Sequence, residues 1–251
     1  MKHIFFITLL TTLTSVFTQQ NDFILKETIS KAENRLRGKS SIATMSITVV
    51  RPKYSREMKV KNWTKTEDYN VMYIIEPTRD KGTVYLKRNK EIWYYIPSIE
   101  RNIKMPPSMM NQSWMGTDMS NDDLVKKTSY ENDFSHRLIG SAIIAGVDCY
   151  EVELFPHEDA DVVWGKVKMW IDKSLYNIMK QEQYDEDLEL VNTTNASEVK
   201  SMGGEIVPTK MEIVPADKKG QKTVMKYESI EFDIDISEQY FTTQYMTRLR
   251  P

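Results

Sequence analysis

The chain is dominated by short segments in which every second residue is apolar, the pattern of a strand with one buried face. Residues 41–51 show this pattern clearly, because alanine, methionine, isoleucine and valine alternate there with serine and threonine. Comparable segments recur from residues 54–65 to residues 223–232, with a short one at 188–191. From this pattern we expect about ten or eleven strands.

Turns rather than helices join most of these segments, which favours an antiparallel meander over alternating strand–helix units. A sheet of this length has to curl in order to hide its edges and its apolar face. We therefore expect a mainly β, α+β fold that is built on one curved antiparallel sheet.

Three helical segments accompany the strands. The first carries an apolar stripe at a helical period from Leu25 to Leu36, and Gly38 supplies its end. A second helix is predicted at 121–127 and a short closing helix at 237–249. The first two are expected to cover one face of the sheet.

The stretch from Met105 to Met119 departs from the alternating pattern. It contains two adjacent prolines and five methionines around Trp114, and methionine recurs at surfaces that adapt to varied apolar partners. Ser120 follows as the N-cap of a helix with an acidic first turn. We interpret this stretch as a lid that faces a ligand; the alternative is that its residues are ordinary core.

Residues 1–18 are typical of a secretory signal peptide. Lys2 and His3 precede an apolar run at 4–17 that is too short to span a bilayer comfortably. We expect cleavage near Thr18 and a soluble periplasmic product with one domain at 19–251. A buried N-terminal strand is the alternative interpretation.

Composition narrows the range of partners. The 34 Lys and Arg nearly balance the 36 Asp and Glu, so the formal net charge is −2 and no basic excess indicates a nucleic-acid partner. Cys149 is the only cysteine, and we expect it to be a small buried residue of a strand. No cysteine stands directly after the signal segment, so we do not expect the protein to be lipidated itself.

A set of residues on both sides of the methionine-rich stretch resembles a known family. The run Trp93-x-Tyr95-x-Pro97, then Arg101, then Met115-Gly116-Thr117-Asp118-Met119 and Asp122-Asp123-Leu124 is similar to the signature of bacterial outer-membrane lipoprotein-sorting proteins of the LolA-like class. That family usually shows Gly-Ser-Asp-Phe and an aromatic residue before the acidic pair, where this chain has Thr117, Met119 and Asn121. The order of the other segments also fits, so the resemblance covers nearly all of 19–251.

The resemblance implies a half-open barrel wrapped around helices, with an apolar cavity between sheet and helices. It also implies a periplasmic carrier that shields the acyl chains of a lipidated protein or a lipid, for transfer to the outer membrane. A membrane transporter or an outer-membrane acceptor would then be a further partner, and we expect a monomer without a cofactor. The candidate residues for the cavity and its lid are Met45, Ile47, Met58, Val60, Trp63, Met72, Trp93, Tyr95, Met109, Met110, Trp114, Met115 and Met119.

Other chemistry is sparse along the chain. The carboxylates at Asp118, Asp122 and Asp123 lack the alternate spacing of a calcium loop and are better explained by helix capping. His157 and the acids after it are expected to form a solvated loop rather than a metal site. The sequence contains no phosphate-binding loop and no motif of a metalloprotease or serine hydrolase, so we expect neither catalytic nor metal-binding residues.

Two further functions remain open at this point. The same fold could serve as an envelope sensor or protein-interaction module that is not catalytic. A hydrolase that uses only carboxylates is a third and weaker possibility, because sequence alone does not place two carboxylates on facing strands.

The signal segment generates the first prediction. Because the apolar run at 4–17 matches a cleaved signal, protein recovered from the periplasm should begin near Gln19. Intact-mass measurement of that material tests the cleavage. Recovery of a chain that still starts at Met1 would contradict it.

Overall fold

The computed structural model describes residues 24–66, 68–125, 129–160 and 162–250. The predicted signal segment at 1–18 lies outside these residues. Within them, thirteen strands form a single antiparallel sheet that is curved and unclosed. The strands are β1 (Ser40–Arg51), β2 (Tyr54–Lys65), β3 (Tyr69–Glu76), β4 (Val84–Arg88), β5 (Glu91–Ile96), β6 (Arg101–Lys104), β7 (Phe134–Ile144), β8 (Val147–Pro156), β9 (Lys166–Asp172), β10 (Ile178–Tyr184), β11 (Leu190–Met202), β12 (Glu205–Pro215) and β13 (Lys222–Phe232).

The predicted fold class is confirmed, but the strand count was too low. The largest difference is at β11, which runs for 13 residues although the alternating pattern ended at Val191. The remainder of β11 is mostly asparagine, threonine, serine and lysine, so its strand character comes from pairing with β10 and β12 rather than from apolar alternation.

The spatial order of the strands is β6-β5-β4-β3-β2-β1-β13-β12-β11-β10-β9-β8-β7. Two meanders, β1–β6 and β7–β13, therefore join through the pairing of the first and last strands, with Met45 opposite Tyr227 and Ile47 opposite Met225. Strands β6 and β7 are consecutive in the chain but lie at opposite edges of the sheet. The segment between them has to cross one face of the sheet.

Three helices lie within the described residues. Residues 24–34 form α1, and its buried residues Leu25, Ile29 and Ala32 pack against β7, β8 and β9. The helix ends slightly before the predicted position, with Gly38 at φ +60° donating its N–H to the Asn34 carbonyl. Helix α2 spans Asn121–Val125.

The predicted closing helix is interrupted. A 3-10 turn at Glu238–Phe241 and the short α3 at Thr243–Met246 flank Thr242, which is extended at φ −120° and ψ 147°. The Thr242 side chain accepts a hydrogen bond from the Tyr245 N–H and so begins a new helix there. The chain therefore follows the sheet as a bent segment rather than as one helix.

The two sheet faces have different covers. We call inner the face that carries α1, the Met105–Met119 lid segment and α2, and outer the opposite face. The outer face of β2–β5 is covered by the C-terminal segment, in which Ile236, Phe241, Met246 and Leu249 are buried. None of the helices described by the structure is long and apolar enough to cross a membrane.

The C-terminal segment generates the second prediction. Phe241 is 2% exposed and its ring lies 5.6 Å from that of Tyr69, so Phe241→Ala should lower the free energy of unfolding by about 3–5 kcal/mol. Urea denaturation measures the loss. The exposed Gln244→Ala in the same segment is the control and should change it by less than about 0.5 kcal/mol. Equal stability of the two variants would mean that the segment is not part of the core.

Candidate functional site

The lid segment forms a compact loop without regular strands. Two 3-10 turns, Pro107–Met109 and Trp114–Gly116, follow each other, and the Trp114 N–H donates to the Met119 carbonyl at 2.8 Å. Met115 and Gly116 both have positive φ, 49° and 71°. The loop is therefore a tight hairpin-like turn that presents Trp114 to the sheet.

Trp114 is the central side chain of the lid. It is 1% exposed and packs with Met58, Val60 and Ile74 of the inner face. Its ring meets that of Tyr85 edge-on at 5.7 Å. Within the part of the chain that the structure describes, the buried indole Nε1 has no hydrogen-bond partner, and an orphaned donor of this kind costs about 1–3 kcal/mol. The closed lid is thus well packed but carries one unsatisfied polar group.

A polar network fastens the lid to the sheet. Arg51 of β1 pairs with Asp118 at 3.1 Å and donates to the Gly116 carbonyl at 2.6 Å. The Thr223 hydroxyl donates to Asp118 Oδ2 at 2.7 Å and its oxygen accepts the Asp118 N–H at 2.9 Å. Arg56 donates to the Met115 carbonyl. Asp118 is therefore an anchor of the lid, in addition to preceding the capped helix.

Helix α2 continues the lid. Ser120 and Asp123 cap each other, since the Ser120 N–H and hydroxyl donate to Asp123 Oδ2 and the Asp123 N–H donates back to the Ser120 hydroxyl. The buried Asn121 amide donates to the carbonyls of Met109 and Gln112. Where the LolA-like signature has an aromatic residue, this chain thus has a polar side chain that ties the two ends of the lid together.

Two cavities flank the lid on the inner face. The first, about 280 Å³, has an apolar wall of Met72, Tyr85, Ile92 and Leu124 and a polar wall that includes Arg37. The second, about 310 Å³, lies between the end of α1 and strands β10 and β11. Because Arg37 and Asp123 line both cavities, the two are neighbours.

Two tyrosines are held neutral near these cavities. Burial raises the pKa of Tyr85 to about 12, and its hydroxyl donates to the Met115 sulfur at 3.0 Å. Burial also raises the pKa of Tyr130 to about 12, against the opposing effect of a hydrogen bond from Gln181. Both phenols therefore contribute hydrogen-bonding groups without charge at neutral pH.

Comparison with known proteins gives a family and a fold. A family model described as an uncharacterized protein matches residues 66–248. The chain belongs to that family. No curated protein matches its sequence.

Three solved structures illustrate the similarity in fold. A DUF1329 family protein from Desulfovibrio piger has a TM-score of 0.77 at 20% identity, over 88% of this chain and 97% of that chain. A protein domain from Vibrio parahaemolyticus described as outer membrane lipoprotein-sorting has a TM-score of 0.74 at 20% identity, over 89% and 98%. A LolA superfamily protein from Nitrosomonas europaea has a TM-score of 0.70 at 22% identity, over 87% and 97%. The fold of the chain is LolA-like.

Most of the residues proposed from sequence share the inner face of this LolA-like sheet. Four of them, Met45, Ile47, Met58 and Val60, are at most 7% exposed and form the floor beneath Trp114. The others on this face are partly buried around the lid: Met72, Met109, Met110, Met115 and Met119. Trp114 fills the space above the floor, so the floor is packed rather than open.

Trp63, Trp93 and Tyr95 lie elsewhere. They are on the outer face and pack in the cluster of the C-terminal segment, so they do not share a cavity with the others. The reason is strand parity: Trp93 pairs with Leu86 and Tyr95 with Val84, both outer-face residues, whereas Tyr94 pairs with Tyr85 on the inner face. Strict alternation along β5 could have identified Tyr94 and Ile92, which the selection by residue type missed.

The remaining candidate groups carry little chemistry. Cys149 is fully buried and burial raises the pKa of its thiol to about 11, so it stays protonated. His157 is exposed. Among the described residues, no group of three or more histidines, cysteines and acids is placed to hold a metal ion.

The anchoring network generates the third prediction. Asp118 and Arg51 side chains are 4% and 13% exposed, so Arg51→Met should leave a buried carboxylate without its cation and cost about 3–5 kcal/mol of stability. Hydrogen exchange at the amides of residues 115–118 should accelerate in the same variant. The double variant Arg51→Met, Asp118→Asn removes the stranded charge and should recover part of the loss. A single variant as stable as the wild type would show that this pair does not hold the lid.

Proposed function

We propose that the protein is a periplasmic carrier that binds the acyl chain of a lipidated protein or lipid on the inner face, under the lid segment. The observation that carries the proposal is the packing of the lid, because Trp114 and its neighbouring methionines lie on a floor of methionine, isoleucine and valine side chains. The lid lies outside the paired strands of the sheet, so it can move without breaking hydrogen bonds between strands. Beside it, the first cavity offers a start for an apolar chain.

The energetics favour exchange between lid and ligand. When Trp114 leaves the floor, its indole N–H gains water as a partner, which offsets part of the lost apolar burial. An acyl chain that enters between Trp114 and the floor recovers about 0.8 kcal/mol for each buried methylene. A chain of ordinary length can therefore replace the apolar contacts of the lid.

The fold likeness supports this proposal at the level of architecture. One of the similar structures is described as an outer membrane lipoprotein-sorting protein domain. Transfer to the outer membrane, together with a membrane transporter or an outer-membrane acceptor as partner, belongs to the same proposal, as does export through the predicted signal segment. The protein would act as a non-catalytic monomer.

One observation favours a second candidate function, a non-catalytic envelope sensor or interaction module. Met58 and Val60 are fully buried and Trp114 is 1% exposed, so the interior under the lid is tightly packed. A protein that only presents its surface to a partner would have such an interior. Native mass spectrometry of the gently isolated protein separates the two functions, because a carrier should retain co-purified lipid.

The lid generates the fourth prediction. Trp114→Asp places an unpaired carboxylate over the apolar floor, so the affinity for a fluorescent fatty acid should fall by about tenfold or more, equivalent to about 1.4 kcal/mol or more. Met115→Asp, at a partly buried lid position, should act in the same direction with a smaller loss of stability.

The matched control is Trp63→Asp. Trp63 is as large as Trp114 and 5% exposed, but it faces the outer side of the sheet. Both tryptophan variants should lose folding stability, and binding is compared at a temperature at which each is folded. Only the lid variants should lose affinity. Full binding by Trp114→Asp, or an equal loss in Trp63→Asp, would contradict the proposal.

A further inference from the structure

Four polar side chains interrupt the apolar inner face at β10 and β11. Gln181 pairs directly with Thr194 and Gln183 with Asn192, so all four point to the same side and line the second cavity. The strands on either side return to apolar residues such as Met169 and Ile213. Four amide and hydroxyl side chains on an otherwise apolar face offer hydrogen-bonding partners to a ligand.

The four side chains are uncharged, and each can both donate and accept hydrogen bonds. Gln181 donates to the Tyr130 hydroxyl at 2.9 Å, whereas within the described chain no protein atom hydrogen-bonds to the side chain of Asn192 or Thr194. Tyr130 and Trp164 add two aromatic walls. Hydroxyl groups of a ligand fit such donors and acceptors, and its C–H faces fit the rings.

The charges around the second cavity disfavour an anion. Among the residues that the structure describes, Glu33, Asp118 and Asp123 line it, and Arg37 is the one cation. Asp118 is balanced by Arg51 and by the Thr223 hydroxyl. The remaining two carboxylates and one guanidinium leave no excess positive charge for a phosphate or carboxylate group.

The position of the cavity links it to the acyl site. It adjoins the first cavity through Arg37 and Asp123, so an amphiphile with its chain against Met72 and Leu124 would extend its polar end toward β10 and β11. We propose that the second cavity binds the neutral, hydroxyl-rich head group, a sugar or similar polyol, of the carrier's ligand. This inference rests on the proposed carrier function. At about 310 Å³ the cavity is at the small end of ligand pockets, which suits one head group rather than a whole lipid.

The test compares three ligands with the same chain and different heads. Octyl β-glucoside, octyl phosphate and octyltrimethylammonium are titrated into the full protein by calorimetry, each below its micelle concentration, and free glucose is a fourth ligand. The glucoside should bind about tenfold more tightly than the other two octyl compounds, a difference of about 1.4 kcal/mol. Free glucose should bind far more weakly than the glucoside, because the chain contributes most of the affinity.

Variants assign the preference to the polar side chains. Gln183→Leu, and separately Asn192→Leu, should reduce glucoside affinity by about tenfold while leaving octyl phosphate unchanged, because each removes hydrogen bonds to the sugar and none to the phosphate. Asn195→Leu is the control, since Asn195 lies on the same strand, is exposed and faces the outer side. Two single variants are used so that a folding defect in one does not decide the result.

The possible outcomes separate the two proposals. Equal affinity for the three octyl compounds, tighter binding of the phosphate or ammonium compound, or unchanged glucoside affinity in both variants would overturn the head-group inference and leave the carrier function standing. Absence of binding of any octyl compound to the wild type would overturn both. Tight binding of free glucose would show that a soluble sugar rather than a lipid head group is the ligand, and would also overturn the inference.

Discussion

The crossing from β6 to β7 constrains the rest of the inner face. These strands are consecutive in the chain but stand at opposite edges of a thirteen-stranded sheet. Twelve inter-strand steps of about 4.8 Å would separate them by roughly 58 Å if the sheet were flat. The connecting segment cannot pair with the sheet and still span it, so it lies across the face as a loop and a short helix. Its apolar side chains face the sheet because an apolar face of this width has to be covered.

The seam between β1 and β13 gives this crossing a firm base. It joins the first and last strands of the chain, and its inner-face residues, such as Met45 and Ile47, belong to the floor under the lid. Two anchors of the lid come from the same pair of strands, since Arg51 is the last residue of β1 and Thr223 is the second residue of β13. The joining of the two meanders and much of the fastening of the lid therefore depend on the same pair of strands.

Strand alternation made most of the fold predictable from sequence, because one buried face imposes a period of two on every strand. The N-terminal helix and the Ser120 cap were predictable for similar local reasons. The second half of β11 was not, because pairing with the next strand, β12, rather than apolar alternation makes it a strand.

The candidate site was less predictable than the fold. Selection by residue type grouped the methionines around Trp114, which share one face, with Trp63, Trp93 and Tyr95, which lie on the other face, and only the pairing register reveals this difference. The polar side chains of β10 and β11 carried no signal along the chain, since glutamines two residues apart are common on a solvated strand face. Their shared position became visible only when the register placed Gln183 opposite Asn192 on a face that is otherwise apolar.

The turn at Met115 and Gly116 has a consequence for how this family can diversify. Both arginines that reach the turn, Arg56 and Arg51, bind main-chain carbonyls, those of Met115 and Gly116 respectively. Main-chain acceptors do not depend on side-chain identity, so residue 115 can be exchanged without cutting the attachment, provided the backbone keeps its positive φ. The apolar side chains of the lid and the hydrogen bonds that attach the lid to the sheet can thus change independently. Related chains could change the side chains of the lid to suit another ligand and keep the same hydrogen bonds between the arginines and the main chain.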